Sequence, residues 1–249
     1  MYQKQYDTVI IDKKGQKKSH FTVAVEETFE LYVNNALVAS ILASPAQLEQ
    51  LAVGYLVCEG IVSIPSDIKD VSIDDHNRIS TTITGNDDFD LWFEIRSSGC
   101  IGVKWENNED VKVESGMHFS SDVIRNSLHH IESEIYQHTR GTHAACLIDK
   151  DGRCIARAVD VGRHNAVDKA IGQALMDGVL LGEYYILSTG RQPGGMVLKA
   201  ARAGIPMVVT KTAPLNSGIE VARRTGICLV GFATSDSMIA FANEWRLDK

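Results

Sequence analysis

In the second half of the chain a polar run, with Asp160, Arg163, His164 and Asn165 close together, gives way to apolar residues at Ala166, Val167, Ala170, Ile171, Ala174 and Leu175. That spacing places the apolar side chains on one buried face of a helix. Asn165 stands where a side-chain oxygen can cap the open backbone N–H groups, and Gly162 permits a close approach into the helix. Elsewhere the period drops to two. Residues 8–12, 21–25, 29–33, 37–42, 68–73, 78–84 and 91–95 read as strands. Asn34-Asn35 marks a hairpin between two of them, because asparagine tolerates positive φ. Ser44-Pro45-Ala46-Gln47 predicts a helix start, with Leu48, Leu51, Ala52, Tyr55 and Leu56 facing inward and Gly60 ending the helix. Ser120 or Ser121 predicts the cap of a second helix whose inward residues are Val123, Ile124, Leu128, Ile131 and Ile135.

After residue 140 the strands 143–148 and 154–159 flank a turn at Asp149-Lys150-Asp151-Gly152. Strands at 184–187, 207–210 and 228–232 then alternate with helices at 196–203 and 218–224. The pattern predicts a β-rich N-terminal domain over residues 1–117 and an α/β domain over 118–249, with helices laid on a sheet. In such a sheet ligands sit at the loops beyond the strand C-terminal ends, here residues 188–195, 211–217 and 233–237.

Composition narrows the function classes. The net charge of −7 gives a nucleic-acid backbone no obvious attraction. Lys13, Lys14, Lys17 and Lys18 group only at a predicted hairpin tip. No apolar run reaches the roughly 20 residues of a membrane span, and the N-terminus lacks a signal-peptide core, so the expected location is the cytoplasm. The five cysteines, Cys58, Cys100, Cys146, Cys154 and Cys228, are odd in number and irregular in spacing. They fit a reducing compartment and no structural zinc site.

Two segments carry candidate chemistry. Arg96-Ser97-Ser98-Gly99-Cys100-Ile101-Gly102 places one thiol between glycines, and Arg96 and Lys104 would favour its thiolate. The other four cysteines read as buried fillers. At Thr142-His143-Ala144-Ala145 a histidine opens a strand, but the glutamate that zinc deaminases use to move protons is absent, and the later loop has no cysteine pair. Deamination of that kind is unavailable, and no metal constellation stands out.

The chain resembles the formate dehydrogenase accessory sulfurtransferase family (FdhD) over nearly its whole length. The resemblance rests on Glu26-Glu27-Thr28-Phe29-Glu30-Leu31, on the stretch from Leu51 to Val62, and on Gly141-Thr142-His143-Ala144-Ala145. Its most specific part is Asp160-Val161-Gly162-Arg163-His164-Asn165-Ala166-Val167-Asp168-Lys169. It continues through Lys199-Ala200-Ala201-Arg202-Ala203-Gly204-Ile205-Pro206 and Leu229-Val230-Gly231-Phe232. The resemblance implies a cytidine-deaminase-like second domain, a homodimer, and a cysteine-loop thiol, here Cys100. That thiol takes sulfur as a persulfide from a cysteine desulfurase and passes it to the molybdenum cofactor. The cofactor, in its bis-molybdopterin guanine dinucleotide form, is then inserted into formate dehydrogenase.

The family's nucleotide ends bind to the second half, so GDP is expected to mimic them. Phe232, Ala233, Thr234, Ser235, Asp236 and Ser237, together with Asp160, Arg163, His164, Asn165, Gly190 and Arg191, are the expected contacts. This chain departs from the family at two places. Its loop keeps one cysteine where the family usually has two, which excludes a thiol relay within the loop. Its loop after Phe232 is acidic where the family's is commonly basic. Two readings stay open at this level: a sulfur carrier, and a chaperone that binds the cofactor without moving sulfur.

Overall fold

Residues 2–84, 92–95, 101–104 and 111–248 are described by a computed structural model of the chain. Cys100 lies outside these described residues. The chain opens with an antiparallel ribbon of β1 (Gln3–Asp12) and β2 (Gly15–Ala24), in which Tyr6 stands opposite Phe21. Its lysine-rich tip is exposed throughout, as expected of a solvated turn, but so are Tyr6, Val9, Ile11 and Phe21.

The next strands are β3 (Glu27–Val33) and β4 (Ala36–Ala43), joined by Asn34 and Asn35 at φ 46° and 69°. Both asparagines are left-handed, as a tight two-residue hairpin requires. The alternation works as read: Phe29, Leu31 and Val33 are buried. With β5 (Ile68–Ile73), β6 (Arg78–Ile83), β7 (Trp92–Ile95) and β8 (Ile101–Lys104) they form a six-stranded sheet in the order β5-β6-β3-β4-β8-β7. Strand β8 meets β4 where Ile101 pairs with Ser40. Helix α1 (Leu48–Cys58) closes this core with Leu51, Ala52, Tyr55 and Leu56. It does not begin at Ser44. Gln47, at φ 53°, is the residue before its first turn, and Ser44 is buried elsewhere in the structure.

A short β9 (Phe119–Ser120) leads into α2 (Ser121–Ser127). The single helix expected to run on to Ile135 is broken. A 3-10 turn spans Leu128–Ile131, and α3 (Glu134–Thr139) starts afresh with the Ser133 hydroxyl accepting from Tyr136 N. Then come β10 (His143–Ile148), β11 (Cys154–Asp160), α4 (Arg163–Met176), β12 (Tyr185–Ser188), α5 (Gly194–Arg202), β13 (Met207–Thr210), α6 (Asn216–Thr225), β14 (Cys228–Gly231), β15 (Ile239–Ala242) and β16 (Leu247–Asp248). The second sheet has the order β11-β10-β12-β13-β14-β15, with β12, β13 and β14 parallel and the others antiparallel. One face packs on α4, α5 and α6 through Ala170, Ile171, Val197, Ala200 and Ala222. The other packs on Phe119, Ile124 and Leu128. This is the α/β architecture expected, preceded by a β-rich first half.

The two sheets are joined chiefly where α1 crosses α4. A Cβ at Gly54 would lie 1.8 Å from the carbonyl oxygen of Asp168, and one at Gly172 would lie 1.9 Å from that of Gln50. Two glycines, one on each helix, let the backbones touch.

Candidate functional site

Parallel strands β12 and β13 end at Ser188 and Thr210, and the antiparallel neighbours β10 and β11 put His143 and Asp160 at the same edge. Three segments meet there: the start of α4, the turn 189–191, and the turn 211–212. They are braced by hydroxyls. Thr210 Oγ1 donates to Gly190 O at 2.7 Å, and Gln192 Nε2 donates to the same carbonyl at 3.0 Å. Thr189 Oγ1 accepts from Ala144 N at 3.1 Å. Phe232 N donates to Thr212 O at 3.0 Å, which ties the acidic 232–237 loop to the same edge. Within that loop Ala233 is buried, Phe232 is left-handed and half exposed, and the Thr234 hydroxyl bridges to Ser237.

A cavity of about 500 Å³ opens at this edge, a volume ordinary for a small-molecule site. Tyr136 of α3 and Arg140, which caps its C-terminus, wall one side, and His143, Thr189, Lys211 and Thr212 wall the other. Thr142 also lines it, and its buried hydroxyl has no hydrogen-bond partner among the described residues. A buried hydroxyl without a partner is costly, so a polar group in the cavity would be welcome there.

The expected contact residues separate into two groups. Arg163, Gly190 and Arg191 are not in the cavity wall; they group beside it at a mouth next to His143 and Thr189, which do line it. A Cβ on Gly190 would lie 2.7 Å from the Arg163 Cβ, so only glycine lets the turn lie against the start of α4. Burial holds the Arg163 guanidinium below its ordinary range, and the nearby Arg191 charge adds to this. Two like charges held together favour an anion between them, and a guanidinium fork fits phosphate oxygens. His164 is half-buried beside them.

Asp160 and Asn165 belong to the second group, which is interior. Asp160 Oδ2 accepts from Lys169 Nζ at 2.5 Å and from Ser44 N at 3.0 Å, while Oδ1 accepts from Gly162 N at 2.7 Å and Asn165 Nδ2 at 3.0 Å. Asn165 Nδ2 also donates to Leu42 O at 2.7 Å. Asn165 is therefore no helix cap: Gly162 holds that position, and Asn165 lies inside the first turn, fastening α4 to β4. Burial lowers the Lys169 ammonium, and Asp160 opposes that shift.

A second buried cluster lies behind the first. Lys199 Nζ reaches Glu59 Oε1 at 2.6 Å and both Asp168 oxygens at 2.8 Å, and Arg202 Nη1 donates to Cys58 O at 3.2 Å. Much of the Asp160–Lys169 motif is thus a joint between the two halves. The signal for this was present in the charged pair Asp168-Lys169 interrupting an apolar helix face. Lys211 and Thr212 fall in one of the loops expected to hold a ligand, 211–217, whereas Tyr136 and Arg140 were not picked out from sequence, because nothing in their local pattern shows that α3 folds over the strand ends.

His143 reports on the mouth. Its Nδ1 lies 3.2 Å from Thr189 Oγ1. Burial, then the Arg163 charge, hold the imidazole below its ordinary pKa of 6.5, with Asp160 opposing. As pH falls through 6.5 the unfolded chain takes up a proton before the folded one, so this group's contribution to stability is full above 6.5 and declines below it. NMR titration is expected to place the His143 midpoint below 6.5 and to move it upward in Arg163→Leu. An identical midpoint in that variant would show that the Arg163 charge does not reach the ring.

Comparison with known proteins agrees with this architecture. The model of the FdhD/NarQ family matches residues 24–248. A sulfur carrier protein FdhD from Methanothermobacter thermautotrophicus is 34% identical over 219 residues, covering 86% of this chain and 87% of that protein. Its counterpart from Wolinella succinogenes is 30% identical over 254 residues, covering 96% and 88%. A crystal structure described as a formate dehydrogenase accessory protein from Desulfotalea psychrophila superposes with a TM-score of 0.83 at 24% identity, covering 100% of both chains, and supports the fold. Among the described residues no helix is long and apolar enough to cross a membrane. With the family model matched from the third strand to the last, and relatives aligned over most of their own length, the chain belongs to the FdhD/NarQ family.

Proposed function

We propose that the chain is a sulfur carrier for the maturation of formate dehydrogenase. The observation that carries this reading is its similarity, at 34% identity over most of both chains, to a protein named as a sulfur carrier. Cys100 is the proposed carrier. Its thiolate attacks the outer sulfur of a persulfide on a cysteine desulfurase. A new S–S bond forms as the donor's S–S bond breaks, and the desulfurase leaves as a thiolate. One nucleophilic sulfur is enough for this exchange, so the single-cysteine loop is sufficient. The acceptor is the molybdenum cofactor, held by its guanine nucleotide ends on the second half.

The cavity beside Arg163 and Arg191 supports that second step. Its volume suits a nucleoside, and the paired guanidinium groups suit a pyrophosphate. Asp236, on the adjoining loop, can accept from the N–H groups of a guanine edge. The exposed apolar side chains of the β1–β2 ribbon, Tyr6 and Phe21 among them, support assembly as a homodimer. The protein's free cysteines suit a reducing cytoplasm.

The test is intact mass after incubation with a desulfurase and cysteine, with GDP and ADP calorimetry on the same sample. Gain of one sulfur on Cys100, abolished in Cys100→Ala, is expected. So is preferential GDP binding that weakens with salt and is lost in Arg163→Ala/Arg191→Ala. Nucleotide binding without any sulfur uptake would replace the carrier with a cofactor chaperone.

A further inference from the structure

The hairpin of β10 and β11 carries a second sulfur chemistry, independent of Cys100. Along it, Cys146 pairs with Arg157 and Leu147 with Ala156, but Ile148 pairs with Cys154, so Ile155 is skipped. Side chains alternate along a strand, and an extra residue reverses the alternation beyond it. Without the bulge Cys154 would share a face with Ala156, which packs in the core under α4. With it, Cys154 turns to the opposite face and packs against the cluster that contains Cys146. The expectation that both were buried fillers holds for Cys146 only; Cys154 is half-exposed, on a strand at the sheet edge.

Cys146 and Cys154 take diagonal positions on one face of the hairpin, where each shifts the other's titration. Cys146 S–H donates to the carbonyl of His130 at 3.2 Å, and Cys154 S–H lies 3.5 Å from the carbonyl of Ala156. Arg157 stands over the pair, its Nε donating to the same carbonyl at 2.8 Å and its Nη2 to Glu132 O at 2.6 Å. A fixed cation and a second thiol therefore both act on the accessible sulfur. The neighbouring Cys146 thiol is the main cause that brings the Cys154 thiol down to about 7, with Arg157 assisting against burial. The same pairing, with burial, pushes the Cys146 thiol up. An accessible thiolate beside a second, protected thiol is the arrangement of an attacking and a resolving cysteine.

We propose that Cys154 and Cys146 form a redox-active dithiol that reacts with low-molecular-weight disulfides and closes to an intramolecular disulfide. In the first step the Cys154 thiolate attacks one sulfur of the reagent, whose S–S bond breaks, and one small thiol leaves with a proton from water. Cys146 then loses the partner that raised its pKa, because Cys154 is now a neutral mixed disulfide. Its thiolate attacks the Cys154 sulfur and expels the second small thiol. Two protein thiols are oxidised by two electrons, and one reagent disulfide is reduced to two thiols. The site lies on β10 two residues beyond Ala144, which lines the cavity, so its redox state is set next to the proposed cofactor seat.

The experiment uses the full chain carrying Cys100→Ser, which removes the proposed carrier thiol from the readout. The reduced protein is incubated with glutathione disulfide at neutral pH, quenched with acid and digested with trypsin without reductant. Cleavage after Arg140, Lys150, Arg153 and Arg157 isolates the two cysteines on peptides 141–150 and 154–157. These peptides are expected to be linked, with the intact mass lower by two hydrogens and no glutathione retained. Cys154→Ser, at a half-exposed position, is expected to lose both the link and any adduct. Cys146→Ser is expected to trap glutathione on Cys154. A stable glutathione adduct on Cys154 with Cys146 still free, or an unreacted Cys154, would overturn the proposal, and neither result depends on the Cys146→Ser or Cys154→Ser variant folding.

Discussion

Replacing Lys169 with methionine is expected to lower the free energy of unfolding by about 3–5 kcal/mol, the usual cost of leaving one partner of a buried ion pair alone. The lysine and Asp160 are fully buried, with Nζ 2.5 Å from Oδ2. The ammonium also donates to the carbonyl of Ser44 at 2.9 Å. Methionine fills the same volume but leaves a carboxylate and a carbonyl short of a donor. The remaining donors on Asp160, Ser44 N, Gly162 N and Asn165 Nδ2, soften the loss without neutralising the charge. Urea unfolding measures the effect. The double variant Asp160→Asn/Lys169→Met is expected to recover much of it, since a buried pair replaced as a unit is often near neutral. A single-variant loss below about 1 kcal/mol would mean that water reaches the carboxylate.

Gly54→Ala is expected to be comparably damaging, although it adds one methyl group. A mid-helix glycine-to-alanine change ordinarily gains about 1 kcal/mol of helix propensity. Here the new Cβ would sit 1.8 Å from a backbone oxygen of α4, which no rotamer change can relieve. The helices must separate, and both the Gly172 contact and the Lys199–Asp168–Glu59 cluster open with them. Overpacking of this kind costs about 1–3 kcal/mol, more where backbone must shift, and the upper end is expected here. Thermal unfolding checks it. An unchanged or higher melting temperature would show that the crossing has slack that the backbone contact conceals.

Local chemistry made some of this fold legible in advance and hid the rest. The β3–β4 hairpin could be read because two adjacent asparagines have few other uses between apolar runs, and both adopt positive φ. The parallel strands and the loops beyond them could be read from alternation and period. Ser44 was misread as a helix cap because its true partners, Asp160, Val161 and Lys169, lie more than a hundred residues away. Asn165 was misread for the same reason: its amide serves Leu42. The helix expected through Ile135 breaks where Arg157 draws the carbonyls of His130 and Glu132 toward β11. In each case a long-range polar contact overrode a sound local pattern. Arg163, Gly190 and Arg191 were picked out for one site and do come together, but beside the cavity and not in its wall. The walls from α3 were not picked out, because a six-residue helix leaves little periodicity to find.

Strand β4 has a role that its eight residues do not advertise. At Ser40 it pairs with Ile101, the residue that follows Cys100 in the chain. Two residues on, Leu42 receives the amide of Asn165, and just past the strand Ser44 is bonded to Asp160 and Lys169. The strand is therefore a common datum for two places that must cooperate if sulfur is to reach a cofactor held at the mouth. The point where β8 enters the sheet and the first turn of α4 are both measured from it, over a span of about three residues. Shifting β4 by one residue would reverse the facing of its side chains and break both registrations at once. Selection on the proposed sulfur delivery would then fall on the register of β4 as well as on the reacting groups.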